Sequence, residues 1–216
     1  MAEAVELEGP MQVILRLRQS GVKEPRLLEA LERVPRLRFV PLAHQADAFG
    51  ERPVPLECGQ VLHPVSLTAR LVDALDVRPQ HSVLDLGTGS GYQAALLGRL
   101  ARKVHSVERF RGLLEQARRR LSEIEAKNVI LHHGDGRTGL NGHGLFDRVV
   151  ADSAFDGPPR ALLDHLVSGG FVVCPVGPPG EVQTVTRFEK VGSRFERQDL
   201  FQVRVGTFLP GTATAL

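Results

Sequence analysis

The stretch "VLDLGTGSGYQAALL", residues 83–97, decides the fold of this chain. Its first four residues, apolar except for Asp85, predict a buried strand, and its last six have the spacing of a helix. Gly87, Gly89 and Gly91 lie between them. Glycine tolerates positive φ and lets a ligand approach the backbone, while the first N–H groups of the helix face that ligand. The stretch therefore predicts a strand–turn–helix unit that binds a nucleotide-like ligand.

Strands and helices alternate on both sides of this unit. We predict helices at 11–20, 25–34, 64–75, 92–100, 111–125 and 159–167, and strands at 83–86, 104–107, 129–131, 146–151 and 171–175, the last entered through a Gly169-Gly170 turn. Strands separated by helices favour right-handed crossovers and a parallel sheet. After Gly180, "VQTVTRF" and "FQVRV" alternate like paired antiparallel strands.

This pattern predicts a single α/β domain over residues 1–216, with a doubly wound, Rossmann-like and mainly parallel sheet. Residues 1–62 would supply N-terminal helices and an irregular, proline-rich loop. Residues 63–180 would form the ligand-binding α/β core, and 181–216 the antiparallel C-terminal strands and tail. A long irregular stretch inside a compact protein usually surrounds a site, so the loop is expected to be functional.

Composition narrows the class of protein. Of 216 residues, 42% are hydrophobic and 24% charged, and the net charge of +2 gives no reason to expect a nucleic-acid partner. Cys58 and Cys174 stand apart without ligand spacing, so we predict no disulfide and no metal site. The acidic N-terminus lacks the apolar run of a signal peptide, and no membrane-spanning run follows. We expect a cytoplasmic protein without a membrane partner, and we favour a monomer.

Polar residues follow two further strands of the predicted sheet. Glu108 ends the strand after the glycine turn, where a carboxylate accepts hydrogen bonds from ribose hydroxyls. Asp135 and Gly136 follow the next strand and are placed to face an adenine ring. Two alternatives stay open: Glu108 caps the helix that begins near Arg109, or Asp135 only shapes its turn.

The glycine spacing separates the candidate ligands. Dinucleotide sites usually show G-x-G-x-x-G, whereas this chain has G-x-G-x-G with Tyr92 at the position of the third glycine. Asp85 is placed to serve an ammonium group, directly or through water, which suits a sulfonium amino acid. We therefore predict S-adenosyl-L-methionine as the cofactor. Its predicted binding residues are Asp85, Gly87, Thr88, Gly89, Ser90, Gly91, Glu108, Asp135 and Gly136.

With these residues in place, the chain resembles the protein-L-isoaspartate O-methyltransferases over nearly its full length. The glycine motif continues as Gly-Tyr-Gln-Ala, as in that family. Further matching motifs follow in order: "RFVP" at 38–41, "RPVPLECGQ" at 52–60, "HGDG" at 133–136, "GGFVVCPVG" at 169–177 and "FLP" at 208–210. The resemblance implies methylation of the free α-carboxylate of isoaspartyl residues in damaged proteins or peptides. A carboxylate is ionised at pH 7 and needs no general base, so we expect no catalytic triad.

The acceptor loop departs from the family. Members usually continue the Gly-Gln pair as Thr-Ile-Ser-Gln-Pro, whose hydroxyls hold the acceptor carboxylate, whereas here Gln60 is followed by Val61-Leu62-His63-Pro64. By resemblance, Gln60, Val61 and His63 bind substrate, and His63 replaces the family serine as the catalytic candidate. His63 has three open interpretations: a structural residue that caps the next helix or bonds a loop carbonyl, a holder of the acceptor carboxylate, or a base for another acceptor.

A second departure follows the strand that ends at Ala151. Asp152 and Asp156 stand where the family has an alanine-rich turn. We predict that they cap a helix at Pro158-Pro159, with ordering of a cationic acceptor as the alternative.

Two functional alternatives remain beside isoaspartate methylation. They are a related methyltransferase with a different acceptor, such as a modified peptide or a small molecule, and a catalytically silent S-adenosylmethionine-binding module.

Overall fold

A computed structural model describes residues 9–213, and nine strands give it its frame. In chain order they are β1 (Val54–Pro55), β2 (Val61–Leu62), β3 (Ser82–Leu86), β4 (Lys103–Glu108), β5 (Val129–His133), β6 (Phe146–Ala151), β7 (Leu166–Val176), β8 (Gln183–Val191) and β9 (Arg194–Val203). β1 and β2 form a small antiparallel hairpin. The other seven form one sheet in the order β5-β4-β3-β6-β7-β8-β9. Neighbouring strands are parallel from β5 through β4, β3 and β6 to β7. β8 is antiparallel to β7, and β9 is antiparallel to β8.

This order confirms the predicted doubly wound α/β fold with antiparallel C-terminal strands. Chain order reverses at β3, which lies between β4 and β6. Ligands of open parallel sheets bind beyond the carboxyl ends of the strands at such a switch point. The glycine turn follows β3 and therefore lies at this place.

The described residues form five α-helices: α1 (Pro10–Gln19), α2 (Pro25–Arg33), α3 (Val65–Ala74), α4 (Tyr92–Leu100) and α5 (Arg111–Glu123). Short 3-10 helices cover Arg36–Phe39, Leu42–Asp47, Glu57–Gly59, Gly136–Thr138 and Arg160–His165. The predicted N-terminal helices and the helices beside the glycine turn are therefore confirmed. Pro25 occupies the first turn of α2, where a missing N–H costs nothing, and the Glu24 side chain accepts from the N–H of Arg26.

Two apolar clusters hold these layers together. Side chains of the first four helices, among them Leu17, Leu71 and Leu96, are fully buried in one cluster. Leu84 and Phe146 belong to the second cluster, on strands β3 and β6. Burying each such side chain contributes about 1.5–3 kcal/mol, so the core positions the strand ends firmly.

The predicted helix at 159–167 is wrong. The structure has only a 3-10 helix at Arg160–His165, because the chain already enters β7 at Leu166 and leaves too few residues for a stable α-helix. Gly170 lies inside β7, not in a turn before it. A Cβ there would lie 3.0–3.1 Å from three backbone carbonyl oxygens, beside the register shift between β6 and β7. Glycine is therefore needed for a bulge within the strand.

Among residues 9–213, no helix is both long and apolar enough to cross a membrane. The first eight residues, which we predicted not to form a signal peptide, lie outside the described residues, as do the last three residues of the predicted tail. The subdivision of the chain at residues 62 and 180 stays a prediction.

Candidate functional site

A cavity of about 450 Å³ lies at the carboxyl ends of β3, β4 and β6. Four parts of the chain wall it: the acceptor loop before α3, the glycine turn, the ends of β4 to β6, and residues 206–209 near the C-terminus. Volumes of about 300–1,000 Å³ are typical of small-molecule sites. The cavity thus brings together the acceptor loop and the predicted cofactor residues.

The glycine turn needs glycine at each of its three positions. Gly87, Gly89 and Gly91 have φ of 94°, 53° and 92°. Gly87 and Gly89 line the cavity, whereas Gly91 is the N-cap of α4. A Cβ at Gly91 would lie 3.2 Å from the Cβ of Ala117 on α5. The first two glycines therefore form the cavity wall, and the third lets α4 and α5 pack closely.

We expect Gly91→Ala to lower the free energy of unfolding by about 2–4 kcal/mol, since a left-handed conformation costs about 1–2 kcal/mol and overpacking about 1–3 kcal/mol. Gly21→Ala is the matched control, because Gly21 has φ of 101° and open space around its Cβ position. Urea unfolding measures both. Equal losses in the two variants would contradict a steric role for Gly91.

Asp85 lies beneath the turn, not in the cavity wall. It is fully buried, and its oxygens accept from Gln93 Nε2 at 2.8 Å and Ser106 Oγ at 2.7 Å. Thr88 Oγ1 lies 2.6 Å from the same Ser106 Oγ, which extends the network to the turn. Burial raises the pKa of Asp85 to about 7. The structure thus gives Asp85 and Thr88 a role in supporting the turn, and direct binding of an ammonium group by Asp85 stays a prediction.

Ser90 is likewise directed into the protein. It is buried, and its Oγ accepts from the N–H of Tyr92 at 3.3 Å. Like Asp85, Thr88 and Gly91, it is absent from the cavity wall. Of the nine predicted cofactor residues, the wall contains Gly87, Gly89, Glu108, Asp135 and Gly136.

Glu108 joins the end of β4 to the glycine turn. Its Oε2 accepts from the N–H of Gly89 at 2.8 Å, and its Oε1 accepts from the N–H of Phe110 at 2.9 Å. Phe110 is the N-cap of α5, so Glu108 also satisfies a donor at the helix start, as the capping alternative predicted. Burial raises the pKa of Glu108, while the two N–H groups oppose that rise. One carboxylate thus both lines the cavity and fixes its turn.

Asp135 and Gly136 line the cavity after β5. Asp135 Oδ1 accepts from the N–H of Arg137 at 2.9 Å, which shapes the turn, and its Oδ2 accepts from the N–H of Gly211 at 2.6 Å. A Cβ at Gly136 would approach Leu86 Cδ2 to 2.9 Å and Phe208 Cζ to 3.4 Å. The Asp135 carboxylate therefore also anchors the C-terminal segment across this side of the cavity.

The sequence reasoning missed the wall built by residues 206–209. Ala154 exchanges backbone hydrogen bonds of 2.8 Å with Gly206 and Phe208, and the Phe155 and Phe208 rings stack at 5.2 Å. Arg109 also lines the cavity, and its buried Nε and Nη1 have no hydrogen-bond partner among the described residues. The "FLP" motif at 208–210 was the available signal, since it matched the family without having an assigned role.

The acceptor loop reaches the cavity from the β1–β2 hairpin. Pairing of Val54 with Leu62 fixes this hairpin, and Gln60 Nε2 donates to the carbonyl of Cys58 at 3.1 Å. Gln60 and Val61 both line the cavity, and Val61 is 40% exposed. The hairpin therefore places both side chains where a ligand in the cavity would meet them.

His63 lies between β2 and α3 and is only 5% exposed. Its carbonyl accepts from Arg36 Nη2 at 2.7 Å, and its Nε2 lies 3.9 Å from Asp152 Oδ2. Burial and the Arg36 guanidinium lower the pKa of His63 to about 4, so the imidazole is neutral at pH 7. The helix-capping interpretation of His63 is wrong, because Pro64 is the N-cap of α3 and no side chain caps it.

Asp152 lines the cavity beside His63 of the acceptor loop. The predicted capping role is wrong for this residue, because Pro159 is the N-cap of the 3-10 helix at Arg160–His165. Its Oδ1 accepts from Ser153 Oγ at 3.2 Å, and the side chain is 24% exposed. Burial raises the pKa of Asp152 to about 7, and the charge of Glu108 adds to the rise. Asp152 is therefore partly protonated at neutral pH.

The charges around the cavity favour a cationic ligand. Glu108 and Asp135 contribute carboxylates and Asp152 a partly protonated carboxyl, against the single guanidinium of Arg109 among the lining residues. A pyrophosphate would meet repulsion here, whereas a sulfonium cation with an adenosyl group meets acceptors for its charge and its hydroxyls. The residues present thus fit S-adenosylmethionine better than a dinucleotide.

Comparison of sequences gives one consistent family. The model of the family described as Protein-L-isoaspartate(D-aspartate) O-methyltransferase (PCMT) matches residues 9–213. The Protein-L-isoaspartate O-methyltransferase of Rhodopseudomonas palustris (strain BisB18) is 40% identical over 206 residues, which cover 95% of each chain. That of Rhizobium meliloti (strain 1021) is 37% identical over 202 residues, covering 94% of this chain and 99% of the relative.

Comparison of structures finds the same architecture. A Plasmodium falciparum protein, solved as a putative protein-L-isoaspartate O-methyltransferase in complex with S-adenosyl-L-homocysteine, superposes with a TM-score of 0.79. The alignment covers 94% of this chain and 99% of that one, at 17% identity. At this identity the likeness shows the fold alone.

Proposed function

The chain belongs to the protein-L-isoaspartate O-methyltransferase family, and from this premise we infer that it methylates the free α-carboxylate of isoaspartyl residues in damaged proteins or peptides. It is an S-adenosylmethionine-dependent protein carboxyl methyltransferase. The observation that supports the residue assignment is the shared cavity, in which Gly87, Gly89 and Glu108 face the same space as Val61 and His63.

When bound, S-adenosylmethionine supplies a methyl group made electrophilic by the adjacent sulfonium. We assign its binding to the cavity side formed by the glycine turn, Glu108, Asp135 and Gly136. An acceptor carboxylate is already a nucleophile at neutral pH, so the protein must only strip it of water, orient it and screen its charge. A pocket without a catalytic triad suffices for this reaction.

His63 is proposed to hold the acceptor carboxylate through a neutral N–H donor. Its lowered pKa disfavours an imidazolium, and a nitrogen of such low basicity is a poor proton acceptor. The nearby Arg36 guanidinium, whose Nε donates to the carbonyl of Ala48 at 2.6 Å, adds positive potential behind the loop. The donor from His63 would therefore replace the hydroxyl that the family usually places here.

Asp152 bears on whether a carboxylate can enter. A fully charged Asp152 beside His63 would repel an anionic acceptor, but a carboxyl whose pKa lies near 7 is protonated in a large fraction of molecules at neutral pH. A protonated carboxyl also donates a hydrogen bond. We propose that Asp152 and His63 together form the acceptor side of the cavity.

The test is methyl transfer from labelled S-adenosylmethionine to a peptide made in isoaspartyl and normal aspartyl forms. We expect turnover of the isoaspartyl form and none of the aspartyl form. Turnover of neither peptide, with tight binding of S-adenosylhomocysteine, would contradict the assigned acceptor. That outcome would favour the second candidate, a related methyltransferase with another acceptor, which the departures at Val61 and His63 support, or else a silent binding module.

A cytoplasmic location and a monomeric state are part of this proposal. Cys58 and Cys174 are both free thiols, as in proteins of reducing compartments. The substrate proteins are the partners that the family implies.

A further inference from the structure

Three histidines outside the methyl-transfer cavity meet on one face of the sheet. His105 lies on β4 and His132 on β5. In the parallel register, His105 pairs with Ile130 and Val107 pairs with His132. Residues two apart on a strand share a face, so His105 and His132 project from the same side. The register of the two strands therefore places these two side chains next to each other.

His143 approaches the pair from the loop that precedes β6. Gly142 and Gly144 flank it with φ of 79° and 85°, conformations that suit glycine. Its ring centroid lies 5.3 Å from that of His105 and 4.6 Å from that of His132. The loop is thus bent so that a third imidazole covers the other two.

The ring nitrogens lie close to the spacing of metal ligands. His105 Nδ1 lies 2.9 Å from His132 Nε2 in a hydrogen bond, and one ligand nitrogen from each of the three rings lies within 4.8 Å of the others. Two imidazoles bound to one tetrahedral Zn²⁺ place their nitrogens about 3.3 Å apart, since each Zn–N bond is about 2.0–2.1 Å. An inward movement of the exposed His143 ring by at most about 1.5 Å, with a slight opening of the His105–His132 pair, gives this spacing.

We propose that His105, His132 and His143 bind one divalent transition-metal cation of the class that prefers imidazole, with Zn²⁺ as its representative. Three imidazoles with a remaining open position are an established zinc donor set. The prediction of no metal site rested on the cysteines alone and did not consider histidines brought together by strand register. The bound cation would tie the 139–145 loop to the sheet.

The surroundings suit neutral ligands. His105 is 2% exposed and packs edge-on against Phe146 with ring centroids 5.5 Å apart. The nearby Lys103 ammonium repels a cation, which favours a moderate affinity over a tight one.

The test is calorimetric titration of Zn²⁺ into the full chain after treatment with a chelator. We expect one Zn²⁺ per chain, and a loss of affinity of at least about tenfold in each of His132→Gln and His143→Gln. His44→Gln is the matched control, because His44 lies in the 3-10 helix at Leu42–Asp47, far from the cluster in the chain. Zn²⁺ should raise the melting temperature of the unmodified chain and this control only.

Two results would overturn the proposal. One is the absence of Zn²⁺ binding to the unmodified chain, which would leave the cluster as a packed hydrogen-bonded group. The other is equal affinity in His143→Gln and the unmodified chain. Because His143 is exposed, this variant should keep its fold, and circular dichroism verifies that it does.

Discussion

Replacing His63 by alanine is expected to lower kcat/KM for an isoaspartyl peptide by about 10- to 100-fold, the effect of losing a hydrogen bond to a charged group. The Kd for S-adenosylhomocysteine should stay unchanged, because His63 belongs to the acceptor loop and not to the glycine turn. His63→Ser should retain more activity than His63→Ala, since a hydroxyl restores a donor. Steady-state kinetics and calorimetry separate the two effects.

The pH profile distinguishes a neutral donor from an imidazolium. With the pKa of His63 lowered to about 4, the ring stays uncharged between about pH 6 and pH 9. The ratio of kcat/KM between the unmodified chain and His63→Ala should then be constant across that range. A ratio that collapses as pH rises past about 6.5, the ordinary pKa of histidine, would instead assign the function to an imidazolium. An unaltered kcat/KM in His63→Ala would show that His63 does not bind the acceptor.

Replacing Glu108 by alanine is expected to raise the Kd for S-adenosylhomocysteine by about 100-fold or more. The variant loses the proposed contact to the cofactor, and it leaves the part-buried N–H groups of Gly89 and Phe110 without their acceptor. Each such loss costs about 1–3 kcal/mol. Calorimetry measures the Kd, and a thermal melt measures the accompanying loss of stability.

Glu115→Gln is the control for this variant. Glu115 lies on the outer side of α5 with 59% of its side chain exposed, beside Arg118. Neutralising it should leave the Kd within a factor of about two, because surface ion pairs contribute little. If Glu108→Ala kept its affinity while melting earlier, the residue would serve only the turn, and the proposed contact to the cofactor would be wrong.

The sequence allowed the fold to be predicted where burial leaves a periodic signature. The segment from Leu84 to Leu97 was correctly divided into strand, turn and helix, because glycines and continuous apolar runs mark both ends. The prediction failed at 159–167, where leucines at helical spacing follow two prolines. It also placed the last strand at "FQVRV", residues 201–205, although β9 runs from Arg194 to Val203. β9 is an edge strand and largely exposed, so its first half has no alternation of apolar residues from which a strand could be predicted.

The site residues that could be predicted are those that directly follow the end of a strand. Glu108 and Asp135 reach the cavity because parallel strands end at one edge. Asp85 was assigned to the ligand although its side chain points into the protein, and a motif cannot tell these two directions apart. The wall at 206–209 was missed because it depends on long-range pairing between Ala154 and Thr207, which leaves no local pattern.

That wall also sets when the cavity becomes complete during synthesis. Residues 59–63 and the turn at 87–89 are synthesised before most of the sheet, whereas 206–209 follow its last strand, β9. Domains fold from the N-terminus as they emerge, and distant contacts form late. Until residues 206–209 have been made, the nascent chain therefore holds the glycine turn with one side of the cavity open to water. A chain truncated before Gly206 would keep all seven strands of the sheet and still lack a closed site.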